Sequence, residues 1–281
     1  MILSPIEQSI KAKIEKVGTP LKDWDINIYR GVLTGFNDAF IISGEKRQEI
    51  LNNCKSKDER ERTTEIIRPI LRGRDIKRYS YEYADLWLIY IPWHFPLHFD
   101  KTIQGASEKA EREFQKQYPV VYSHLLQYKE PLSKRNKAET GIRYEWYAMQ
   151  RWGANYMDEF NKQKIVWGNL NLSATYTLAP AGMMINAPAT MIVPANHNLL
   201  CVLNSKLADY YIRNLGVTRN GGYFEYKPMF IEQLPVPQNI AENAFGKYEG
   251  KELKNEKEIN RKVYAFYDLT DEEMDFIEQQ R

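Results

Sequence analysis

The spacing of apolar residues along the chain predicts several amphipathic helices. Near the N-terminus, Ile6, Ile10 and Ile14 recur every four residues and would line one face of a helix. Ser4 and Glu7 form a capping-box pattern that predicts where this helix begins. The same reasoning predicts helices over residues 44–66, 101–117 and 199–215, others beginning at residue 119 and around residue 259, and a short one after a second capping box at 270–273.

Short apolar runs bounded by glycine, proline and asparagine predict the strands. Residues 86–91 are strongly apolar and β-prone, as expected for a buried strand. Residues 26–40 indicate a strand, a tight turn and a second strand, in which Gly31 and Gly35 supply the backbone freedom of the turn. Residues 164–193 contain several such runs, which predict a β-meander or successive edge strands.

The order of these elements predicts an α+β fold, with a mixed β-sheet, packed helices and a C-terminal helical segment. Strands and helices do not alternate regularly, which disfavours a doubly wound parallel sheet. The 281 residues allow one large domain or two smaller ones. We expect a connecting helix over 1–18, a central domain over 19–237, and a linker with helices over 238–281.

Charge is nearly balanced, so any attraction for nucleic acid must come from local clusters. The net charge is +2, but residues 68–78 hold five basic side chains, opposed within the segment only by Asp75. Such a cluster can offer a surface to phosphate, or it can be a solvated loop whose arginines pair with carboxylates, and charge alone leaves both possibilities open. The candidate phosphate-binding residues are Arg68, Arg72, Arg74, Lys77 and Arg78, with Lys134, Arg135 and Lys137 in a second, smaller cluster.

Predicted turns and loops carry polar side chains that could pair with base edges in a DNA groove. Thr34 and Asn37 can equally be residues that hold a turn, because short polar side chains hydrogen-bond to nearby backbone. Trp146, Trp152 and Trp167 are better explained as packing residues. The candidate readers are Thr34, Asn37, Gln150, Arg151, Arg219, Asn220 and Tyr223, in addition to Arg72 and Arg74.

Catalytic and metal-binding patterns are weak in this sequence. His94 and His98 have the spacing of two helical metal ligands, but Pro96 lies between them and would break the helix. The acid-x-Lys spacings at 75–77 and 252–254 lie in charged, surface-like runs. We therefore expect no catalytic residue, no metal and no cofactor in this chain.

The two cysteines, Cys54 and Cys201, form neither a disulfide framework nor a zinc-binding pattern. The sequence also has no signal peptide and no apolar run long enough to cross a bilayer. We therefore expect a cytoplasmic protein without a membrane partner.

Several stretches resemble, in order, the TaqI-like C-terminal specificity domain. That domain is the target-recognition part of N6-adenine DNA methyltransferases and of type IIG restriction-modification enzymes. No single stretch is decisive, but the ordered set covers nearly the whole chain. The resemblance is carried by residues 21–40, 70–79, 118–125, 164–167, 200–207, 230–237 and 259–273.

The resemblance implies that residues 19–237 recognise a double-stranded DNA target in a bacterial or archaeal cell. A methyltransferase domain or subunit, N-terminal to this chain, would flip out an adenine and methylate it with S-adenosylmethionine. In type IIG enzymes a nuclease domain, with Mg²⁺, is fused as well. This chain contains no Asn-Pro pair and so lacks the N-P-P-Y motif of adenine methyltransferases. The base-contacting residues would lie in the loops around 143–157 and 216–226.

Two other functions fit parts of the sequence. A stand-alone nuclease would need a divalent metal, for which no acidic constellation is visible. A protein-interaction module would use the apolar stripe of residues 6–17 to dock a partner. Both remain alternatives to DNA target recognition.

Overall fold

The computed structural model describes residues 3–216, 218–242, 244–246 and 256–280. Its mixture of helices and of parallel and antiparallel strands confirms the predicted α+β class. The helices are α1 (Pro5–Val17), α2 (Asn37–Phe40), α3 (Gly44–Asn52), α4 (Lys57–Ile66), α5 (Glu108–Gln117), α6 (Pro119–Leu126), α7 (Lys129–Ser133), α8 (His197–Leu203), α9 (Lys206–Leu215), α10 (Pro228–Ile231), α11 (Glu256–Phe266) and α12 (Asp271–Gln279). The strands are β1 (Thr19–Pro20), β2 (Asn27–Arg30), β3 (Ile41–Ser43), β4 (Ile67–Leu71), β5 (Ile76–Lys77), β6 (Ser80–Tyr81), β7 (Leu86–Ile89), β8 (Lys164–Trp167), β9 (Leu170–Asn171), β10 (Tyr176–Ala179), β11 (Met184–Ile185), β12 (Thr190–Val193), β13 (Phe224–Glu225) and β14 (Pro235–Val236).

Two four-stranded sheets form the centre of the described structure. The first has the strand order β10-β8-β12-β2 and is antiparallel throughout. The second has the order β11-β4-β7-β3, in which β11 runs parallel to β4 and the other pairs are antiparallel. The region predicted as a meander therefore contributes to both sheets.

The first sheet is buried on both faces and separates two hydrophobic cores. Val166 and Met191 belong to one core, whereas Ile165, Trp167 and Ile192 belong to the other. Successive side chains of a strand point to opposite faces, so β8 and β12 contribute side chains to both cores. This explains why these strands are apolar at consecutive positions.

Helix α1 begins at the predicted capping box and packs inside the chain. The backbone N–H of Ser4 donates to the Glu7 carboxylate at 2.7 Å, and that of Glu7 donates to the Ser4 hydroxyl at 3.4 Å. Ile10 and Ile14 are fully buried in the same core as Ile259 of α11. The apolar stripe is thus covered by the chain itself, which removes the basis for a docking role. The domain boundaries at 18 and 237 remain predictions, although this core draws on residues beyond both.

Residues 37–40 form a helical turn and not the predicted second strand. The Thr34 hydroxyl donates to the Asn37 side-chain carbonyl at 2.7 Å and accepts the Phe36 N–H at 3.2 Å. These bonds turn the backbone before α2, as short polar side chains commonly do.

Three of the predicted helices differ from the observed ones because serine residues start new helices. The side chains of Ser56, Ser107 and Ser205 each accept a backbone N–H from three residues further on, which is the geometry of an N-cap. They divide 44–66 into α3 and α4, delay α5 to residue 108, and divide 199–215 into α8 and α9. At the last break, Asn204 also exchanges two hydrogen bonds of 2.9 Å with the Tyr176 backbone.

No helix in the described part of the chain is long and apolar enough to cross a membrane. Part of the linker predicted over 238–253, including residues 247–253, lies outside the described residues.

Candidate nucleic-acid interface

The basic residues of 68–78 point to different parts of the molecule. Arg68 lies in β4 and donates to the Asn161 side chain at 2.5 Å. Arg78 lies beyond β5 and pairs with Glu256 of α11 at 3.3 Å. The segment therefore does not present one continuous basic surface.

Arg72 is used within its own turn. Its Nε and Nη2 atoms donate to the two Asp75 carboxylate oxygens at 2.9 and 2.7 Å. Burial alone would raise the pKa of Asp75, but the hydrogen bonds from Arg72 outweigh it and hold the pKa below its usual value. A phosphate would have to compete with a carboxylate for this guanidinium.

Arg74 is the most exposed cation of the segment. It forms no ion pair with another described residue, whereas Lys77 pairs with Glu82 at 3.5 Å. The turn that carries Arg74 lies beside the end of β8, since a methyl group added at Gly73 would meet the Gly168 Cα at 3.6 Å.

Arg135, by contrast, is buried, with an exposed fraction of 7%. Its guanidinium donates to the backbone carbonyls of Leu132 at 3.0 Å, Trp146 at 2.7 Å, Ala148 at 2.8 Å, and Thr34. Burial lowers the pKa of Arg135 to about 10. These contacts make Arg135 a structural cross-link and leave it no surface for a phosphate.

The other predicted residues near Arg135 differ in exposure. Thr34 is completely buried and holds the turn before α2, so its side chain cannot reach a base. Asn37, Lys134 and Lys137 are exposed, although Lys134 also pairs with Glu130 at 2.5 Å.

Gln150 and Arg151 lie at the surface, beside the turn that contains Thr34. Gln150 is half-buried, and its backbone N–H donates to the Thr34 carbonyl at 3.3 Å. Arg151 forms a backbone bridge with Leu33, and its guanidinium pairs with Glu139 at 2.9 Å.

Arg143 lies at the same site, although it was not among the predicted DNA-binding residues. It pairs with the same carboxylate, Glu139, at 2.8 Å. Arg143 and Arg151 both lie over the Trp93 ring, 5.4 and 5.9 Å from its centre. The signal in the sequence was the run of aromatic and basic residues over 143–152, which does not distinguish exposed from buried side chains. We call Arg143, Gln150 and Arg151 the arginine arm.

A groove of about 660 Å³ is lined by two further predicted residues and by several that were not predicted. Arg219 and Asn220 were predicted, whereas Arg30, Asn169 and Lys227 were not. These residues come from separate segments of the chain, so no local pattern joins them. We call this feature the basic groove, and it is lined by Arg30, Asn169, Leu170, Pro188, Thr218, Arg219, Asn220, Glu225 and Lys227.

The basic groove contains three cations and one carboxylate. Glu225 accepts from Lys227 at 2.9 Å and from the Nε atom of Arg219 at 2.6 Å. These hydrogen bonds lower the pKa of Glu225 and keep it ionised. Arg30 is exposed and forms no ion pair with another described residue. The groove therefore keeps an excess of positive charge.

The strands β9 and β13 form a two-stranded antiparallel ribbon beside the groove. Leu170 is paired with Glu225, and Tyr223, whose backbone is extended two residues before Glu225, lies on the same face. Leu170, Leu172 and Tyr223 have exposed fractions of 52%, 56% and 40%. Exposed apolar side chains next to cations are typical of a surface that binds a partner.

The segment from Arg30 to Leu33 connects the basic groove with the arginine arm. Three residues of extended chain span roughly 10 Å. Gly31 is required in this segment because a Cβ atom at that position would lie 2.3 Å from the Ile185 carbonyl oxygen. The two basic sites are therefore linked through a short segment whose central residues, Gly31 and Val32, are buried.

The possible metal ligands identified in the sequence have other partners. The Nδ1 atom of His94 lies 3.0 Å from the Glu145 carboxylate, and His98 stacks against Phe95. Among the described residues, no group of three or more His, Cys, Asp or Glu side chains is placed to hold a metal ion. The acid-x-Lys pattern at 252–254 lies outside the described residues.

Comparison with known families decides what kind of domain carries this surface. Residues 68–236, more than half of the chain, match the TaqI-like C-terminal specificity domain. The chain belongs to this family. The match includes every residue of the basic groove except Arg30, together with the arginine arm.

The chain is similar to one curated protein and to two solved structures. It is 22% identical over 217 residues to the type II methyltransferase M.MjaIV of Methanocaldococcus jannaschii, covering 74% of this chain and 63% of the relative. It shares a fold with the type IIL restriction-modification enzyme MmeI, solved in complex with DNA, at a TM-score of 0.57 and 12% identity over 93% of this chain and 37% of that one. The type IIG restriction endonuclease BpuSI gives a TM-score of 0.46 at 12% identity, covering 92% and 28%. The chain spans less than two thirds of each of these proteins.

Proposed function

We propose that this specificity domain recognises a double-stranded DNA target for an adenine-N6 methyltransferase of a type IIG-like restriction-modification system. The observation that carries the proposal is the basic groove, an open surface with an excess of positive charge on a member of this family. The structure of MmeI, whose fold is similar, is a complex with DNA, which supports the same assignment.

Within this proposal, exposed cations hold the DNA backbone and position the domain. Phosphate contacts fix register and orientation, whereas contacts to base edges select the sequence. Arg30 and Lys227 would bind phosphates at the groove, and Arg143 and Arg151 would do so at the arginine arm.

Base reading would fall to polar side chains at the same surface. Amide side chains pair bidentately with adenine, and arginine pairs with guanine. We assign this role to Asn169 and Asn220, which line the groove, and to Gln150 in the arginine arm.

The residues selected from the sequence divide into two groups under this proposal. Those whose side chains are buried or held inside the fold are given structural roles: Thr34, Arg68, Arg72, Arg78 and Arg135. Those that remain proposed DNA contacts are Asn37, Arg74, Lys77, Lys134, Lys137, Gln150, Arg151, Arg219, Asn220 and Tyr223.

The proposal assigns catalysis to a methyltransferase domain or subunit that works with this chain. S-adenosylmethionine would be bound there, as would Mg²⁺ if cleavage accompanies methylation. The cytoplasm of a bacterial or archaeal cell is where such a system would meet DNA.

Selection from a randomised double-stranded DNA pool, at low and at moderate salt, tests the proposal. We expect the purified 281-residue chain to enrich one short motif that persists as salt rises. Phosphate attraction alone weakens steeply with salt and has no sequence preference. Binding without a motif at either salt, or no binding, would contradict target recognition by this chain.

A further inference from the structure

Arg219 is held in place at both its backbone and its side chain. Its backbone N–H donates to the Tyr223 carbonyl at 2.7 Å, and the preceding Thr218 forms a bridge with Phe224. Its guanidinium contacts one oxygen of Glu225 through both Nε and Nη2. An arginine held in this way has lost most of its freedom before any ligand arrives.

The orientation of this guanidinium leaves donors available at the groove. A guanidinium has five N–H donors in a fixed plane, and the contacts to Glu225 use only those of Nε and Nη2. The Arg219 side chain remains 54% exposed, whereas that of Glu225 is 8% exposed. Arg219 therefore faces outward and Glu225 lies behind it.

This arrangement suits recognition of a base better than recognition of a phosphate. The Glu225 carboxylate partly neutralises Arg219 and so weakens its attraction for any anion, but it fixes the direction of the remaining donors. Guanine presents two acceptors, N7 and O6, in the major groove, and arginine is their commonest partner. A fixed, directional donor pair is what this contact requires.

The surroundings of Arg219 are compatible with entry into a major groove. That groove admits a two-stranded β-ribbon. The β9–β13 ribbon carries exposed Leu170 and Tyr223 on the face that it shares with Glu225. Such side chains can contact the methyl group of thymine beside the base that Arg219 reads.

We propose that Arg219 determines one guanine of the DNA target, with Glu225 as the residue that positions it. The inference rests on the proposed function, because it assigns a base to one residue of a DNA-reading surface. It goes beyond that function by separating Arg219 from the cations that bind phosphates.

The test compares the 281-residue wild type with Arg219→Lys and Glu225→Gln. Arg219→Lys keeps the charge but replaces the planar donor fork with a single ammonium group. Glu225→Gln keeps the shape of the side chain but removes the charge that orients Arg219. The motif selected by the wild type would be compared in competition binding with the same DNA carrying each single base-pair change, and with motif-free DNA.

We expect Arg219→Lys to lose discrimination on the order of 10- to 100-fold at one guanine and to keep it at the other positions. Its affinity for motif-free DNA and the salt dependence of that affinity should not change. Glu225→Gln should lose discrimination at the same guanine while binding motif-free DNA more tightly, because the groove has become more positive. A purely structural role for Glu225 would not produce these opposite effects.

Several results would overturn the inference. Full discrimination by Arg219→Lys at every position would show that Arg219 is not a reader. An equal loss at all positions, with a smaller salt slope, would show that it binds a phosphate. If the wild type selects a motif, either result refutes the inference and leaves the proposed function standing; a wild type without a motif refutes both. Thermal melts identify a misfolded Glu225→Gln protein. If that variant is misfolded, the result for Arg219→Lys alone tests whether Arg219 reads a guanine.

Discussion

Replacing Arg135 by methionine should destabilise the protein without reducing its attraction for DNA phosphates. Arg135 belongs to a cluster of basic residues in the sequence, but its guanidinium is buried and donates to four backbone carbonyls. Methionine has similar length and fills much of the same space, so the substitution mainly removes these hydrogen bonds.

The magnitude follows from the carbonyls that would lose their donor. Those of Thr34 and Leu132 also accept a backbone N–H and would stay hydrogen-bonded. The carbonyls of Trp146 and Ala148 differ. Among the turn, loop and cap hydrogen bonds of the described residues, neither carbonyl accepts a backbone N–H. An unsatisfied buried acceptor costs about 1–3 kcal/mol. Part of that cost is offset because Arg135→Met no longer buries a charge, and we expect a net loss of about 3 kcal/mol in the free energy of unfolding.

Urea unfolding of the wild type, Arg135→Met and Lys134→Met measures this loss. Lys134 is the matched control, because its exposed ion pair with Glu130 should contribute less than about 1 kcal/mol. A loss of about 3 kcal/mol would also lower the Tm by roughly 5 °C. An Arg135→Met protein of unchanged stability that binds DNA with a smaller salt slope would refute the structural role.

Two further predictions concern the core strand β8 and the segment beside the groove. Burial lowers the pKa of Lys164 to about 8, whereas in the unfolded chain it is about 10.4. Between pH 8 and 9 the folded protein therefore loses this proton while the unfolded chain keeps it. The free energy of unfolding should rise by about 1 kcal/mol over that interval. Lys164→Met should abolish this rise in urea midpoints, and an unchanged pH dependence would contradict it. Gly31→Ala would place a Cβ atom 2.3 Å from the Ile185 carbonyl oxygen, and should cost about 1–3 kcal/mol in thermal unfolding. Leu33→Ala, at an exposed neighbouring position, is the control, and equal stability of the two variants would show that the backbone relaxes freely.

Local signals in the sequence identified the elements that local contacts determine. The capping boxes at Ser4 and Thr270 start α1 and α12 as predicted. The apolar run at 86–91 contains β7, which lies between β4 and β3 in the second sheet. Each of these signals depends on residues a few positions apart.

The same approach failed where partners lie far apart in the sequence. Arg135 reaches the carbonyl of Thr34, which is 101 positions away. Arg68 and Arg78 are ten positions apart, but the chain turns between them. Arg68 contacts Asn161, whereas Arg78 contacts Glu256. Closeness in sequence therefore suggested a basic surface that the fold does not form.

The basic groove could not be predicted either, because its residues are far apart in the sequence. Arg30 ends β2, Asn169 follows β8, and Lys227 follows β13. These positions meet only because β2 pairs with β12 and β9 pairs with β13. Predicting the groove would have required the pairing of strands about fifty residues apart or more.

Salt-dependent binding of Arg30→Ala and Arg78→Ala tests most directly whether DNA lies at the basic groove. Both variants lose one positive charge, but Arg30 lines the groove, whereas Arg78 pairs with Glu256 elsewhere. A lost phosphate contact lowers the slope of log affinity against log salt by about 0.9. We predict that decrease for Arg30→Ala and no change for Arg78→Ala. A smaller slope for Arg78→Ala with an unchanged slope for Arg30→Ala would show that DNA lies at the 68–78 segment and not at the groove. That result would contradict the proposed interface.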